Sequence, residues 1–214
     1  MRYFLCILVG YLMGTINPSY ILAKINGFDI RKKGSRNAGA SNAVILFGKT
    51  AGFLCALFDI VKPCVAIVIM KYVYPEFKLA LALTGSACIL GHILPFYMGF
   101  KGGKGLACLG GVILMFSWKV FLIMLLCEVV VAFATNYICF VPMSAAVVWP
   151  VVYGIITKDA LGIILFAIVG AVILFRHIEN IKRIACGKEA RLSFLWDSKR
   201  ELQRLGSTEE KYLK

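Results

Sequence analysis

Three segments of this 214-residue chain pair glycines and small residues with cations beside long apolar runs. The first reads Gly34-Ser35-Arg36-Asn37-Ala38-Gly39-Ala40-Ser41-Asn42. Small residues let a backbone wrap closely round an anion. Ser35, Asn37, Ser41 and Asn42 carry hydroxyls and amides that can bond phosphate or substrate hydroxyls. A plain glycine-containing loop has the same composition. The second reads Gly91-His92-Ile93-Leu94-Pro95, then Phe100-Lys101-Gly102-Gly103-Lys104-Gly105. Glycines flanking a lysine at a helix start suit a phosphate cradle of backbone N–H groups, helix dipole and ammonium. It is not a Walker A loop, because Met98 stands where its first glycine belongs and Gly105 where its Ser or Thr belongs. A flexible basic turn is its plainer reading. The third reads Arg176-His177-Ile178-Glu179-Asn180-Ile181-Lys182-Arg183, then Gly187-Lys188-Glu189. His177 and Asn180 share a helix face at i,i+3, as do Arg176 and Asn180 at i,i+4. A positive stop after an apolar span explains the charges there, but not His177 and Asn180.

Asp59 and Lys62 are a separate signal, i,i+3 within an otherwise apolar segment. Each costs about 2.5–3.5 kcal/mol at the centre of a membrane helix, so a mutual pair facing inward is expected. It can serve function or hold helices together. Glu128, alone in its apolar run, is expected to make a polar packing contact.

The elements that must position these residues are membrane helices. The chain is 60% hydrophobic and 16% charged, against about 45–50% apolar and 25% charged for a soluble domain. Disorder, fibrous repeats and a nucleic-acid-binding domain are excluded on that ground. A span needs about 20 apolar residues. Tyr3–Ala23, Ala51–Met70 and Leu79–Met98 qualify, and Leu106–Trp118 is short or re-entrant. Val120–Thr157 would be about 57 Å of helix, too long for one crossing, so two spans should turn near Asn136–Tyr137. Ala160–Phe175 is the last. The expectation is an all-α integral membrane protein of about seven helices. Arg2 and the apolar run after it resemble a signal peptide, but no A-x-A site closes the run, so an uncleaved first span is expected.

The net charge of +13 comes from 24 Lys and Arg against 11 Asp and Glu. Residues 24–49 carry six cations and one acid, the segment from Arg176 carries ten cations and six acids, and Lys101 and Lys104 mark a third basic loop. Positive loops stay inside, which puts the N-terminus outside, the C-terminus in the cytoplasm and all three motifs at the cytoplasmic face. Seven spans give the same parity. Residues 1–192 then form one membrane domain. Residues 193–214 form a cytoplasmic amphipathic tail, in which Ser198 and Glu201 make a capping box before Leu202 and Leu205. The eight cysteines have no CxxC spacing and read as small buried hydrophobes, with no metal site.

The set Gly-Ser-x-Asn-x-Gly-Ala-Ser-Asn, Gly-His-x-x-Pro-x-x-x-x-Phe-Lys-Gly-Gly-Lys-Gly and Arg-His-x-x-Asn-Ile-x-Arg resembles one family over about Gly10 to Glu189. It is the bacterial acyl-phosphate:glycerol-3-phosphate acyltransferases, the PlsY family. The resemblance implies transfer of an acyl group from acyl phosphate to the 1-hydroxyl of glycerol 3-phosphate in the bacterial inner membrane. The products are lysophosphatidic acid and phosphate, and no cofactor, nucleic acid or obligate protein partner is implied. By motif, Ser35, Lys104, His177 and Asn180 are the expected catalytic residues. Arg36, Asn37, Gly39, Ser41, Asn42, His92, Lys101, Gly102, Gly103, Gly105 and Glu189 are the expected binding residues, with Glu189 bracing the third segment. The His-x-x-x-x-Asp motif of soluble-type glycerolipid acyltransferases is absent, since Tyr97 and Lys182 stand at the fifth residue after the two histidines.

The chain departs from the family pattern at four positions. Arg36 replaces a glycine, Ile45 replaces a phosphate-binding arginine, Cys108 replaces a threonine and Pro63 a glycine. Arg36 can restore the cation lost at Ile45. Two other readings remain open at this level: a paralogue acylating another phosphorylated or lysolipid acceptor, and an organic-phosphate transporter or binding protein.

Overall fold

The computed structural model describes residues 1–189 and 191–196. The expected capping box at Ser198 and Glu201, and Leu202 and Leu205 after it, lie outside the described residues. Among the described residues all regular structure is helical. The helices are α1 Arg2–Thr15, α2 Pro18–Ile25, α3 Ala40–Phe47, α4 Lys49–Val73, α5 Ala80–Ile93, α6 Leu106–Phe116, α7 Trp118–Thr135, α8 Phe140–Thr157 and α9 Ala160–Ala185. Among the described residues six stretches are long and apolar enough to cross a membrane, and α6 is an apolar helix of 11 residues, short as its sequence implies. Outward faces carry apolar rows such as Phe53, Leu57 and Val61 on α4 and Leu122, Leu126 and Phe133 on α7. Rows of that kind suit lipid, which needs no polar cover.

One sequence expectation, the turn near Asn136, holds, and two are refined. The first apolar run is two helices rather than one, because Pro18 starts α2 and Asn17 caps it, its Oδ1 accepting from Tyr20 N–H at 2.8 Å. The long run divides at Asn136, which ends α7 in the left-handed region at φ 60°. The last helix continues past Phe175 to Ala185 and so carries the third motif inside regular helix. Of the cysteines, Cys127 and Cys186 are exposed rather than buried.

Close helix approach is set by small residues. A Cβ at Gly10 or Gly14 of α1 would collide with the backbone carbonyls of Thr84 and Cys88 on α5, so this small-xxx-small spacing lets the two backbones touch. The core between α5, α6, α8 and α9 is built on Ile89, Leu109, Trp149, Phe166 and Ile173. It leaves one side of α6 facing a cavity.

Candidate active site

The cavity has a volume of about 1160 Å³ and two chemically distinct ends. Its polar end is lined by the first loop, by Lys104 and Gly105, and by His177, Asn180, Arg183, Lys188 and Glu189. Its apolar arm runs between α6, α7 and α8 past Leu109, Ile113, Phe121, Met124, Val141 and Ala145. A ligand with an anionic head and a hydrocarbon tail fits that division.

The first loop is organised from within. Asn42 is fully buried; its Oδ1 accepts from Ser35 N–H at 2.9 Å, and its Nδ2 lies within 3.1 Å of the carbonyls of Ile30, Lys33 and Asn37. It therefore shapes the loop and does not line the cavity, whereas Ser35, Arg36, Asn37, Gly39 and Ser41 do. Asn17 Nδ2 donates to Ala38 O at 2.8 Å and fixes the loop to the start of α2. Arg31 joins the first loop to the second, donating to Met98 O at 2.5 Å while paired with Asp29 at 2.7 Å. The guanidinium holds the Asp29 carboxyl down at about 2.

The second motif works differently from its sequence reading. The Gly102 and Gly103 N–H groups are already used, donating to Ile93 O at 2.9 Å and His92 O at 3.1 Å. Both glycines are buried off the cavity wall, and exposed Lys101 is off it too. A Cβ at 102 would strike His92 O, and one at 103 would strike the His92 imidazole, so the two glycines serve close packing. The part of the motif that lines the cavity begins one residue later. Lys104, Gly105 and the first residues of α6 line the cavity, and the α6 N-terminus has no side-chain cap on its N–H groups. Gly105 makes the turn at φ 89°, a left-handed conformation that glycine adopts at little cost.

Lys104 is held by the third motif. Its Nζ donates to Asn180 Oδ1. Asn180 Nδ2 donates to Glu189 Oε1 at 2.6 Å, and Arg183 Nε pairs with Glu189 Oε2 at 2.6 Å. Asn180 is thus committed to orienting the lysine. Burial, and behind it Arg183, push the Lys104 ammonium down to about 8 against the pull of Glu189. His177, 2% exposed, has Nδ1 at 2.7 Å from Ile173 O. A carbonyl only accepts, so Nδ1 carries the hydrogen, and Nε2 of the neutral ring is a lone pair at the cavity wall.

Asp59 and Lys62 pair as expected, at 2.8 Å. His92, 30 residues on, completes the group at 2.9 Å from Lys62 Nζ. Asp59, His92 and Cys108 bring potential metal-ligand atoms within 4.8 Å of one another, but the Lys62 ammonium already supplies the positive charge there. Glu128 accepts from Ser144 Oγ at 2.5 Å, the polar packing contact expected, and also borders the apolar arm.

Sequence reasoning missed Lys32, Lys49, Arg183 and Lys188 as cavity residues. Arg183 was within reach of it, lying i+3 from Asn180 on α9. Ile45 does line the cavity, and so does Arg36, whose φ of 58° is left-handed.

The sequence profile of a family described as Glycerol-3-phosphate acyltransferase matches residues 4–187. The chain belongs to that family. It is 34% identical to Glycerol-3-phosphate acyltransferase 2 of Thermotoga maritima over 194 residues, covering 90% of this chain and 98% of that one. Glycerol-3-phosphate acyltransferase 1 of Oceanobacillus iheyensis is also 34% identical, covering 93% and 99%. Among solved structures, PlsY (YgiH), an integral membrane glycerol 3-phosphate acyltransferase, superposes in its glycerol 3-phosphate form with a TM-score of 0.82 at 30% identity. That match covers 91% of this chain and 98% of the other, and the lysophosphatidic acid form of PlsY gives 0.79. The family fold, its membrane helices and its acyltransferase class therefore extend to this chain.

Proposed function

We propose that this chain transfers a fatty acyl group from acyl phosphate to the 1-hydroxyl of glycerol 3-phosphate. The observation that carries the reading is the two-ended cavity. Cations and the α6 N-terminus suit phosphate at one end, and the arm between α6, α7 and α8 suits a hydrocarbon tail at the other. Acyl phosphate has both parts.

The chemistry asks for alignment more than activation, because phosphate is already a good leaving group. The 1-hydroxyl oxygen attacks the acyl carbonyl carbon. The new C–O ester bond forms, and the bond from that carbon to the phosphate oxygen breaks, phosphate leaving with the electron pair. The hydroxyl proton passes to His177 Nε2 and on to the departing phosphate. Lys104, set by Asn180, neutralises a phosphate, and the uncapped N–H groups of α6 stabilise charge that develops beside it. Arg36, with Lys49 near it in sequence, supplies the first-loop cation that Ile45 does not. Ser35 and Asn37 offer hydrogen bonds to the acceptor.

In this reading the face lies in the cytoplasm of a bacterial cell and the N-terminus outside, which the charge bias of the basic loops supports. The test is an assay of purified protein with acyl phosphate and acyl-CoA as donors, and with glycerol 3-phosphate and lysolipids as acceptors. Turnover of acyl phosphate with glycerol 3-phosphate supports the reading. Turnover with a lysolipid alone replaces it by the paralogue reading. Cysteine labelling at residue 35 in intact cells checks orientation, and labelling from outside contradicts it.

A further inference from the structure

The hydrocarbon arm of the cavity carries a carboxyl in its wall. Glu128 on α7 is 9% exposed and borders the arm. Ser144 Oγ on α8 donates to its Oε2 at 2.5 Å. Oε1 makes no hydrogen bond among the described residues and is not enclosed by protein. On a residue that borders the arm, it faces open space. No ion pair among the described residues reaches the carboxyl either. An ionisable group inside a membrane helix is costly to keep, and one without a counter-ion more so.

The position of Glu128 along the arm matters. The turn between α7 and α8 belongs to the polar end, because Leu192 N–H, just beyond Glu189, donates to Asn136 O at 2.8 Å. Glu128 stands eight residues before Asn136, about 12 Å along α7 from that turn. Met124 and Phe121 line the arm deeper still, with Ile113 on α6 and Ala145 on α8. A chain that reaches them passes the carboxyl. A plain hydrocarbon covers Oε1 and offers it nothing, which costs the desolvation of a polar group. A hydroxyl on the chain answers it, donating to the carboxylate and accepting from the acid form. A wall built to bond a hydroxyl discriminates against the analogue that lacks it.

We propose that Glu128 selects the acyl donor, so that the arm takes a fatty chain bearing a hydroxyl part-way along it in preference to a plain one. Ser144 is a positioning residue, which holds Oε2 and leaves Oε1 to the chain. This rests on acyl phosphate being the donor, and it names the class of chain that donor carries.

The test is a comparison of donors. Purified wild type receives glycerol 3-phosphate and acyl phosphates of equal chain length, one plain and the others with a single hydroxyl at successive carbons. The best hydroxylated donor should exceed the plain one about tenfold or more in kcat/KM. That comparison needs no variant to fold, and a wild type with no preference at any position would overturn the proposal. Glu128→Leu should abolish the preference, losing activity with the hydroxylated donor and gaining it with the plain one. Glu128→Gln, which still donates and accepts, should keep most of it. A donor ratio unchanged in Glu128→Leu would overturn the proposal and leave a packing contact, whose loss lowers the melting temperature but not the ratio. Gly110 checks where the chain lies. It lines the cavity, and a Cβ there meets Phe121 at 3.6 Å, an ordinary contact. Gly110→Leu should fill the arm and lower kcat/KM for both donors; undiminished turnover would overturn the proposal. If the wild type turns over no acyl phosphate, the acyl-transfer reading fails and binding decides the role of Glu128. Hydroxy fatty acids should then displace a fluorescent fatty acid from the wild type better than plain ones, and no better from Glu128→Leu. Equal displacement from the wild type would overturn the proposal.

Discussion

Lys104 and Asn180 lie 76 residues apart in the chain and are joined by one hydrogen bond, the ammonium donating to Asn180 Oδ1. That bond links the loop before α6 to the C-terminal part of α9, both of which line the polar end of the cavity. It makes Asn180 a partner of the lysine, with its amide nitrogen taken by Glu189.

Lys104→Met should reduce kcat/KM by about ten- to a hundredfold, the range for losing a charge-assisted contact of about 1.5–3 kcal/mol. Asn180→Leu should reduce it too, because the lysine loses its guide. The double variant should be little worse than Lys104→Met alone. Full additivity in that cycle would contradict the shared network.

The depressed Lys104 ammonium gives a pH signature. With its pKa at about 8, the group is charged below that pH and neutral above it. Phosphate binding requires the charge, so KM for the phosphate-bearing substrate it holds should rise as pH increases through about 8. A bound phosphate shifts the break upward. Lys104→Arg should remove the break, since guanidinium stays protonated. A flat KM from pH 7 to 9.5 in the wild type would contradict this.

Arg36 adopts a conformation that costs an ordinary residue about 1–2 kcal/mol relative to glycine. Arg36→Gly should therefore keep or raise the melting temperature in detergent. It should also raise KM for glycerol 3-phosphate, and Ile45→Arg added to it should bring KM back down. A silent Arg36→Gly would mean that Lys49 or Lys104 meets the need for charge without it.

Much of this architecture is legible in the sequence because the bilayer imposes a length. About 20 apolar residues must recur, and Asn136 is a readable break, whereas Pro18 divides a run that reads as one span. Residues of all three motifs also meet at one cavity. What the sequence does not disclose is direction. Asn42 and Asn37 look alike in a loop, yet one turns inward to clamp the backbone and the other borders the cavity. Gly102 and Gly103 resemble a phosphate cradle, and only tertiary structure reveals that their N–H groups are bonded to the end of α5. The contact of Lys62 with His92 spans 30 residues and two helices, beyond any local periodicity.

Asp59→Asn should destabilise the fold more than Lys104→Met. It leaves Lys62, 2% exposed, without its counter-ion among membrane helices. Breaking a buried pair costs about 3–5 kcal/mol, whereas Lys104 is only half-buried and lines the cavity. Melting temperatures in one detergent compare the two, and equal values would contradict a structural contribution from the Asp59–Lys62 pair.

The central claim is acyl transfer from acyl phosphate to glycerol 3-phosphate at this cavity, and 31P NMR of a single reaction tests it most directly. With purified protein, the acyl phosphate and glycerol 3-phosphate signals should fall together while lysophosphatidic acid and inorganic phosphate rise one for one. Lys104→Met should leave the substrates largely unconsumed. Release of phosphate without lysophosphatidic acid, or consumption of acyl phosphate independent of glycerol 3-phosphate, would contradict the account.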